Sequence, residues 1–187
     1  MAEFKELILA FKAVRDALPE VLPQAATSVS MAGKALAERT VKDKGFGEEY
    51  STSQVPAWFL KGKDLNKRGA AFVASLEKKA SKEDKLALSN WGEFRQAQGL
   101  QVNYVDLTYS GEMWRGLFPQ DVQIEGFRYI APLGSTTVAG QKKLNWQYER
   151  YGNFFAKVLT GDNLDAMYKV AFDELVRLLD EKIQFKK

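Results

Sequence analysis

The sequence predicts an α+β fold in which a small antiparallel sheet packs against long N-terminal and C-terminal helices, with a large aromatic insertion between them. Apolar residues recur at helical spacing at both ends of the chain, two short apolar runs flank Gly126, and the periodicity fails over residues 43–99. A chain of 187 residues that is 45% hydrophobic is long enough to bury one core. We therefore predict a single domain, 1–187, made of a helical N-terminal region (1–42), the insertion (43–99), and a region with the sheet and the C-terminal helix (100–187).

The N-terminal region is predicted to form two helices. An apolar stripe at three- and four-residue spacing consists of Phe4, Leu7, Ile8, Phe11, Val14 and Leu18. Pro19 predicts a break after this stripe, because proline has no amide hydrogen to donate and its ring crowds the preceding turn. A second helix is expected to begin after Pro19 or Pro23 and to run to about Val41.

The insertion predicts an ordered loop followed by short helices. Turn-forming residues alternate there with Tyr50, Trp58 and Phe59, and large aromatic side chains need partners in a core or on another molecule. Two short helices are expected to follow, at about 63–79 and at 90–99, the second of which ends at a glycine.

The sheet is expected to form downstream of the insertion. Its predicted strands are Leu100–Leu107, Asp121–Glu125 and Phe127–Leu133. Gly126 marks a hairpin with a loop of one or two residues around Glu125 and Gly126. After a turn at Thr108–Gly111, a helix of one or two turns carries Met113, Trp114 and Leu117 and stops before Pro119.

The C-terminal helix is the clearest element of the sequence. Asp162 is expected to cap it, with Asp165 at the capping-box position. Its apolar face consists of Leu164, Met167, Tyr168, Ala171, Leu175, Leu178, Leu179 and Ile183. The preceding aromatic stretch, 146–159, fits either a helix or a strand, with a turn at Gly152, and Tyr151–Val158 is a possible additional strand of the sheet.

The composition argues against an enzyme. The chain contains neither histidine nor cysteine, so the common general base near neutral pH, the thiolate nucleophile and the commonest transition-metal ligands are missing. No phosphate-binding, metalloprotease or dinucleotide motif is present, and the acids at Asp43, Glu48 and Glu49 are best interpreted as solvated loop residues. Asp106, Glu112 and Glu149 have no spacing that pairs two acids. We expect no cofactor, no metal and no membrane segment.

Two groups of residues are candidates for contacts with other molecules. The aromatic and methionine side chains that lie among turn signals are candidates for a subunit interface, with a core role as the alternative: Tyr50, Trp58, Phe59, Trp91, Phe94, Met113 and Trp114. Between Lys61 and Lys85 the chain carries eight basic and four acidic residues, a local excess of +4 against +3 for the whole chain. The candidate DNA contacts in this segment are Lys78, Lys79, Lys82 and Lys85, with a solvated charged helix as the alternative.

Two short motifs, placed in order along the chain, add a resemblance. The stretch Tyr109-Ser-Gly-Glu-Met-Trp-Arg-Gly-Leu117 follows a long N-terminal helical region, and Arg150-Tyr-Gly-Asn-Phe-Phe155 precedes the C-terminal helix. Over residues 1–40 and 102–184 the chain resembles the small neck proteins of tailed bacteriophages, which are called tail-completion, head-tail joining or virion-morphogenesis proteins. The insertion has no counterpart in the shorter members of that family.

The resemblance implies a structural virion protein without an active site. It implies a homo-oligomeric ring at the head-tail junction, in which identical subunits surround a channel for DNA and contact other neck, portal or tail-tube proteins. It also implies assembly in the host cytoplasm and a final location in the virion. Rings require two different complementary surfaces on each subunit, and the insertion and the N-terminal helix are the candidates. The alternative hypothesis is a nucleic-acid-binding module that uses the basic, aromatic insertion.

Overall fold

The computed structural model describes residues 2–63, 65–107 and 111–184, except the side chains of Ala2, Glu3 and Gln184. Within these residues the helices are α1 (Ala2–Lys44), α2 (Ala57–Lys61), α3 (Lys67–Glu83), α4 (Trp91–Ala97), α5 (Glu112–Arg115), α6 (Val138–Tyr151), α7 (Phe154–Val158) and α8 (Asp162–Gln184). The strands are β1 (Gln54–Pro56), β2 (Leu88–Asn90), β3 (Leu117–Pro119), β4 (Gln123–Glu125), β5 (Arg128–Ile130) and β6 (Leu133–Ser135). Long terminal helices and small antiparallel sheets confirm the predicted α+β class.

The chain divides into two compact units. The first unit consists of Met1–Thr40 and Gly111–Lys187, and the second unit is Val41–Ser110. The second unit includes the whole predicted insertion, residues 43–99. The prediction that the chain forms a single domain stays a prediction.

The N-terminal region forms one helix, so the predicted break at Pro19 is wrong. Both Pro19 and Pro23 lie inside α1. Ala17, Val21 and Ala25 recur every four residues around them and are buried in one core cluster. An interior proline costs about 3 kcal/mol of helix stability. Burial of this face on both sides of the prolines offsets that cost.

The helix α1 packs antiparallel to α8. Leu178 is buried with the α1 cluster, and Leu175 and Leu179 pack against it. Polar contacts set the register: Lys182 pairs with Glu20, the Ser28 hydroxyl donates to Glu174 at 3.0 Å, and the side-chain Nδ2 of Asn163 donates to the Thr40 hydroxyl at 2.9 Å. Hydrogen bonds from Arg177 and then from Ser28 lower the pKa of Glu174 to about 2, so its carboxylate stays charged across the physiological range. The two helices therefore run side by side with a fixed offset.

The C-terminal half confirms the long helix and corrects what precedes it. Asp162 is the first residue of α8 and not its cap, because the amides of Leu164 and Asp165 donate to the carbonyl of Gly161. The predicted strand over Tyr151–Val158 is wrong. A turn at Gly152 separates α6 from α7, as predicted, and α7 begins where the Asn153 side chain accepts a hydrogen bond from the Ala156 amide at 3.1 Å.

The strands of the first unit form one interrupted ribbon. The strands β4 and β5 pair through a two-residue loop at Gly126 and Phe127, which confirms the predicted hairpin. Gly126 has φ +61, as the first loop position of a type II′ turn requires. Beyond the hairpin β3 pairs with β6, and between the two pairs residues 120–122 face residues 131–132. The extra residue in 120–122 acts as a bulge. The bulge interrupts the pairing, so the β3–β6 pair and the β4–β5 pair form two separate short sheets.

The predicted strand at Leu100–Leu107 does not form. Side chains satisfy the backbone of this segment in place of a neighbouring strand: Arg95 Nε donates to the Gln101 carbonyl at 3.2 Å, and Gln101 Nε2 donates to the Tyr104 carbonyl at 2.7 Å. Leu107 has φ +52, a left-handed conformation that an extended strand excludes. Thr108–Ser110, part of the predicted turn ahead of Met113, lies outside the described residues.

The second unit has its own core. Its cluster of buried side chains consists of Ala57, Leu60, Val73 and Phe94. The strands β1 and β2 pair antiparallel beside it. The helix predicted at 63–79 is present as α3, but it begins and ends four residues further along the chain. The helix α4 confirms the one predicted at 90–99, and Asn90 and Glu93 form its capping box.

We expect Gly69→Ala to destabilise the second unit. A Cβ at Gly69 would lie 2.6–2.8 Å from three side-chain atoms of the buried Gln98, and the Oε1 atom of Gln98 accepts a hydrogen bond from the Asn66 amide at 2.9 Å. Displacing Gln98 should cost about 1–3 kcal/mol of unfolding free energy, more than the helix propensity that alanine adds. Urea unfolding measures the change.

The matched control is Gly62→Ala. The nearest heavy atom to a Cβ there is 3.6 Å away and φ is −74, so the change should alter the unfolding free energy by less than about 0.5 kcal/mol. Equal stability of the two variants would contradict the close packing of Gln98 on Gly69.

Candidate interaction surfaces

The structure places three of the seven predicted interface residues in the chain's own core. Phe94 is 0% exposed, Trp114 1% and Met113 8%. Their assignment to a subunit surface is therefore wrong for this structure of the chain. These side chains pack within the chain itself, which agrees with the alternative prediction for them, a role in the core.

The two motifs that carry the resemblance meet in the first unit. Trp114 packs edge-on against Phe154 and Phe155, with ring centroids 6.0 Å apart in each pair, and the two phenylalanine rings stack at 4.6 Å. The indole N–H of Trp114 has no hydrogen-bond partner among the described residues, so this ring contributes by packing. The cluster joins α5 to α7. Tyr109 and Ser110 of the first motif lie outside the described residues.

Tyr50 belongs to a buried polar network of the second unit. Arg95 and Asp106, whose side chains are 2% and 8% exposed, form an ion pair at 2.9 Å. The Tyr50 hydroxyl donates to the other Asp106 oxygen at 2.8 Å, and the Arg95 guanidinium lies 4.7 Å from the Tyr50 ring centroid. Burial raises the pKa of Tyr50 well above its ordinary value, although the Asp106 amide and the charge of Arg95 oppose the rise. The network holds 100–107 in place, which is a structural role.

The remaining predicted aromatics differ in exposure. Trp91 is half-buried against the core of the second unit, with its ring 5.4 Å from that of Phe94. Trp58 is 71% exposed and Phe59 is 40% exposed. The rings of Trp58 and Phe59 meet edge-on at 6.3 Å, and the ammonium of Lys63 lies 4.2 Å from the Phe59 ring centroid. Of the predicted interface residues, Trp58 and Phe59 are thus the ones presented at the surface.

The candidate DNA contacts form a row of exposed lysines at the end of α3. Lys78, Lys79 and Lys82 lie in the last two turns of the helix and Lys85 follows it. Lys85 pairs with Glu83 at 3.2 Å, so part of the row's charge is compensated locally. Lysines near a helix C-terminus also complement the helix dipole, which is the structural alternative to phosphate contact.

The first unit contains an apolar groove of about 780 Å³. It is lined by α1, with Leu22, Ala26, Val29 and other residues, and by residues of α8. The β4–β5 hairpin and the segment after it, from Phe127 to Leu133, complete the lining together with Tyr148, Asn153, Phe155 and Leu159. Few polar groups face the groove, so it suits an apolar occupant better than a charged one.

A second apolar surface lies near the beginning of α1. We call it the α1 stripe; its exposed fractions are 67% for Phe4, 51% for Leu7, 40% for Ile8 and 67% for Phe11. The sequence predicted this periodicity but not its exposure, because a helix that faces a core and a helix that faces another molecule have the same spacing of apolar residues.

Two further exposed apolar sites were missed by sequence reasoning. Phe127, at the tip of the hairpin, is 102% exposed, and Tyr168 and Phe172 on α8 are 65% and 67% exposed. Phe127 follows the glycine that marks the loop, and a large apolar residue at a hairpin tip is a usable signal of exposure. Tyr168 carried no such signal, since it continues the apolar periodicity of α8.

No group of three acidic side chains that could hold a metal ion occurs in the described part of the chain. Among the helices of residues 2–63, 65–107 and 111–184, none combines the length and the apolar character needed to cross a membrane. No protein-family model matches the chain, and neither a curated protein nor a solved structure does.

We expect the cost of Tyr50→Phe to depend on pH. Below pH 10 the phenol is protonated in both states, and losing its bonds to Asp106 should cost about 1–3 kcal/mol of unfolding free energy. The raised pKa means that Tyr50 ionises first in the unfolded chain, so the wild type loses this stabilisation as pH rises above 10. The difference between wild type and variant should therefore shrink from pH 9 to pH 11, measured by urea unfolding at each pH.

Tyr148→Phe serves as the control for the hydrogen bonds of Tyr50. Burial also raises the pKa of Tyr148, so its substitution should show a similar alkaline trend, but no hydrogen bond joins its hydroxyl to a charged group among the described residues. Its substitution should cost less at neutral pH. A constant difference between wild type and Tyr50→Phe across the alkaline range would contradict the protonated, hydrogen-bonded phenol.

Proposed function

We propose that the chain is a structural subunit of a tailed-phage neck, a tail-completion component that forms an oligomeric ring at the head-tail junction. The observation that carries the proposal is the division of the chain. The resemblance to neck proteins covers residues 1–40 and 102–184; the first unit gathers 1–40 and 111–187 into one compact body, and residues 102–110 belong to the second unit. The segment without a counterpart in that family forms a separate compact unit.

The contact between the two motifs supports the same proposal. Met113 and Trp114 come from one motif and Phe154 and Phe155 from the other, and these side chains are buried together or in direct ring contact. Distant motif residues that form one packed cluster have a common structural role. A role in assembly also agrees with the exposed apolar surfaces of the first unit, since large exposed apolar patches are typical of protein interaction sites.

The purified chain is expected to form a closed oligomer and to bind portal or tail-tube proteins of the same phage. Light scattering after gel filtration measures the mass of the chain alone, and co-migration measures partner binding. The Trp58→Ser variant tests whether the exposed tryptophan of the second unit takes part in either contact. A chain that is strictly monomeric and binds neither partner would overturn the proposal, as would a gene located among metabolic enzymes.

The second candidate function is binding of nucleic acid by the second unit. One observation favours it: exposed Trp58 and Phe59 on α2 and the exposed lysines of α3 belong to the same small unit, whose helices α2 and α3 are joined by the ion pair of Lys61 with Glu77 at 2.8 Å. Proteins that bind single-stranded nucleic acid usually combine aromatic side chains, on which bases stack, with positively charged side chains that contact the phosphates.

Salt dependence tests the second candidate. If the row binds phosphates, changing Lys78, Lys79 and Lys82 to Glu should weaken binding of single-stranded DNA by about 10-fold or more at low salt and should reduce the salt slope by about 2. Fluorescence anisotropy measures both. The control changes three exposed lysines of the first unit to Glu, namely Lys142, Lys157 and Lys169. Absence of binding by the wild type at low salt, or equal loss in both variants, rejects this function.

A further inference from the structure

We propose that the α1 stripe of one subunit docks into the apolar groove of a second copy of this chain. This inference rests on the oligomeric part of the proposed function and names the two surfaces that form the contact. The stripe is Phe4, Leu7, Ile8 and Phe11, and the groove is the one between α1, the hairpin and α8.

The stripe lies beyond the region where α8 covers α1. The pairing of Glu20 with Lys182 places the described end of α8, Gln184, beside the part of α1 near residue 18. Phe11 precedes Glu20 by nine residues and Phe4 by sixteen, so at about 1.5 Å per residue the stripe projects roughly 15–25 Å past this contact. This explains its exposure: the described chain has no second helix alongside it.

The stripe cannot fill the groove of its own chain. Leu22, Ala26 and Val29 of the groove wall belong to the same unbroken helix as the stripe. Ile8 and Ala26 are separated by roughly 27 Å along the helix axis. Because a continuous helix does not fold back on itself, an occupant built from this segment has to come from another molecule.

The stripe has the form that a groove of this kind accepts. Its four residues occupy positions i, i+3, i+4 and i+7, the spacing of the anchors that a helix inserts into an apolar groove. The half-buried Ala26 and Ala171 in the groove lining are small, which allows close approach of a helix. Phe127, fully exposed at the groove edge, has its whole ring available to cover the docked helix.

A single contact of this kind is too small for a stable isolated dimer, so a closed series of copies is the assembly that fits it. The exposed parts of the four side chains present roughly 400 Å², and with an equal area of groove one contact buries roughly 800 Å². A stable isolated dimer needs about 1,200–2,000 Å². Each subunit, however, carries one stripe and one groove, so it makes two such contacts when a series of copies closes, and closure converts the last contact into an intramolecular one.

Two complementary variants test the proposal. The stripe variant is Phe4→Ser with Phe11→Ser, and the groove variant is Ala26→Glu, with Ala171→Glu as an independent second version from the other wall. Each should raise the concentration for half-assembly by about 100-fold or more, as measured by sedimentation velocity. Mixed in equal amounts, a stripe variant and a groove variant should form nothing larger than a one-to-one pair, and this pair should dissociate readily, because only one intact contact of roughly 800 Å² remains.

The matched control is Tyr168→Ser with Phe172→Ser, which removes two equally exposed aromatic side chains of α8 that lie outside the groove. It should assemble as the wild type does. Circular dichroism verifies that every variant keeps its helical content.

Other outcomes overturn the inference. Loss of assembly in the stripe variant alone, with both groove variants intact, means that stripes pair with each other. Wild-type assembly of stripe and groove variants alike leaves the ring of the proposed function in place but assigns it to other surfaces. A wild-type chain that stays monomeric up to millimolar concentration but binds a portal or tail-tube protein rejects the inference and keeps the proposed function. If it binds neither, both fail.

Discussion

The antiparallel packing of α1 on α8 is the interaction on which the rest of the first unit depends. Ala17, Val21 and Ala25 are buried with Leu178, and this contact spans both prolines of α1. Without it, each interior proline would cost about 3 kcal/mol in a helix that has no other reason to continue. The same contact makes one wall of the groove and leaves the stripe beyond the end of α8. The packing of α1 on α8 therefore accounts for both the apolar groove and the exposed α1 stripe.

The second unit depends on a different constraint, the burial of charge. Arg95 and Asp106 are almost fully enclosed, and a buried ion pair repays the loss of hydration only when its remaining hydrogen-bonding groups are satisfied. Tyr50 supplies the Asp106 carboxylate with a donor, and the Gln101 carbonyl accepts from Arg95. Because these partners come from segments without regular structure, the network specifies the path of the chain more than it adds stability. For this reason residues 100–107 do not form a strand, although the segment is rich in apolar residues.

Short-range sequence patterns predicted the elements that are stabilised by interactions between residues close together in the sequence. The helix α8 follows from its apolar periodicity, α4 from its flanking Asn90 and Gly99, and the hairpin from Gly126. The continuity of α1 could not be predicted, since the side chains that offset Pro19 pack on a helix more than 150 residues away in sequence. The candidate surfaces were predicted only in part. Trp58 is exposed, but Trp114 is buried, because the residue type alone does not tell which face of a turn-rich segment meets solvent.

The stripe and the groove are related by a rigid element, and this limits the assemblies that they can form. Both lie along α1, so their separation is set by the rise of a helix and not by a flexible loop. If one subunit's stripe fills the next subunit's groove, every contact repeats the same rotation and translation. Such a heterologous contact gives a closed ring when the rotation divides a full turn and an open filament when it does not. Pro19 lies between the stripe and the groove-lining residues of α1, and a change in helix direction there would alter that rotation. In the proposed assembly, a change in helix direction at Pro19 would therefore change the number of subunits that close a ring.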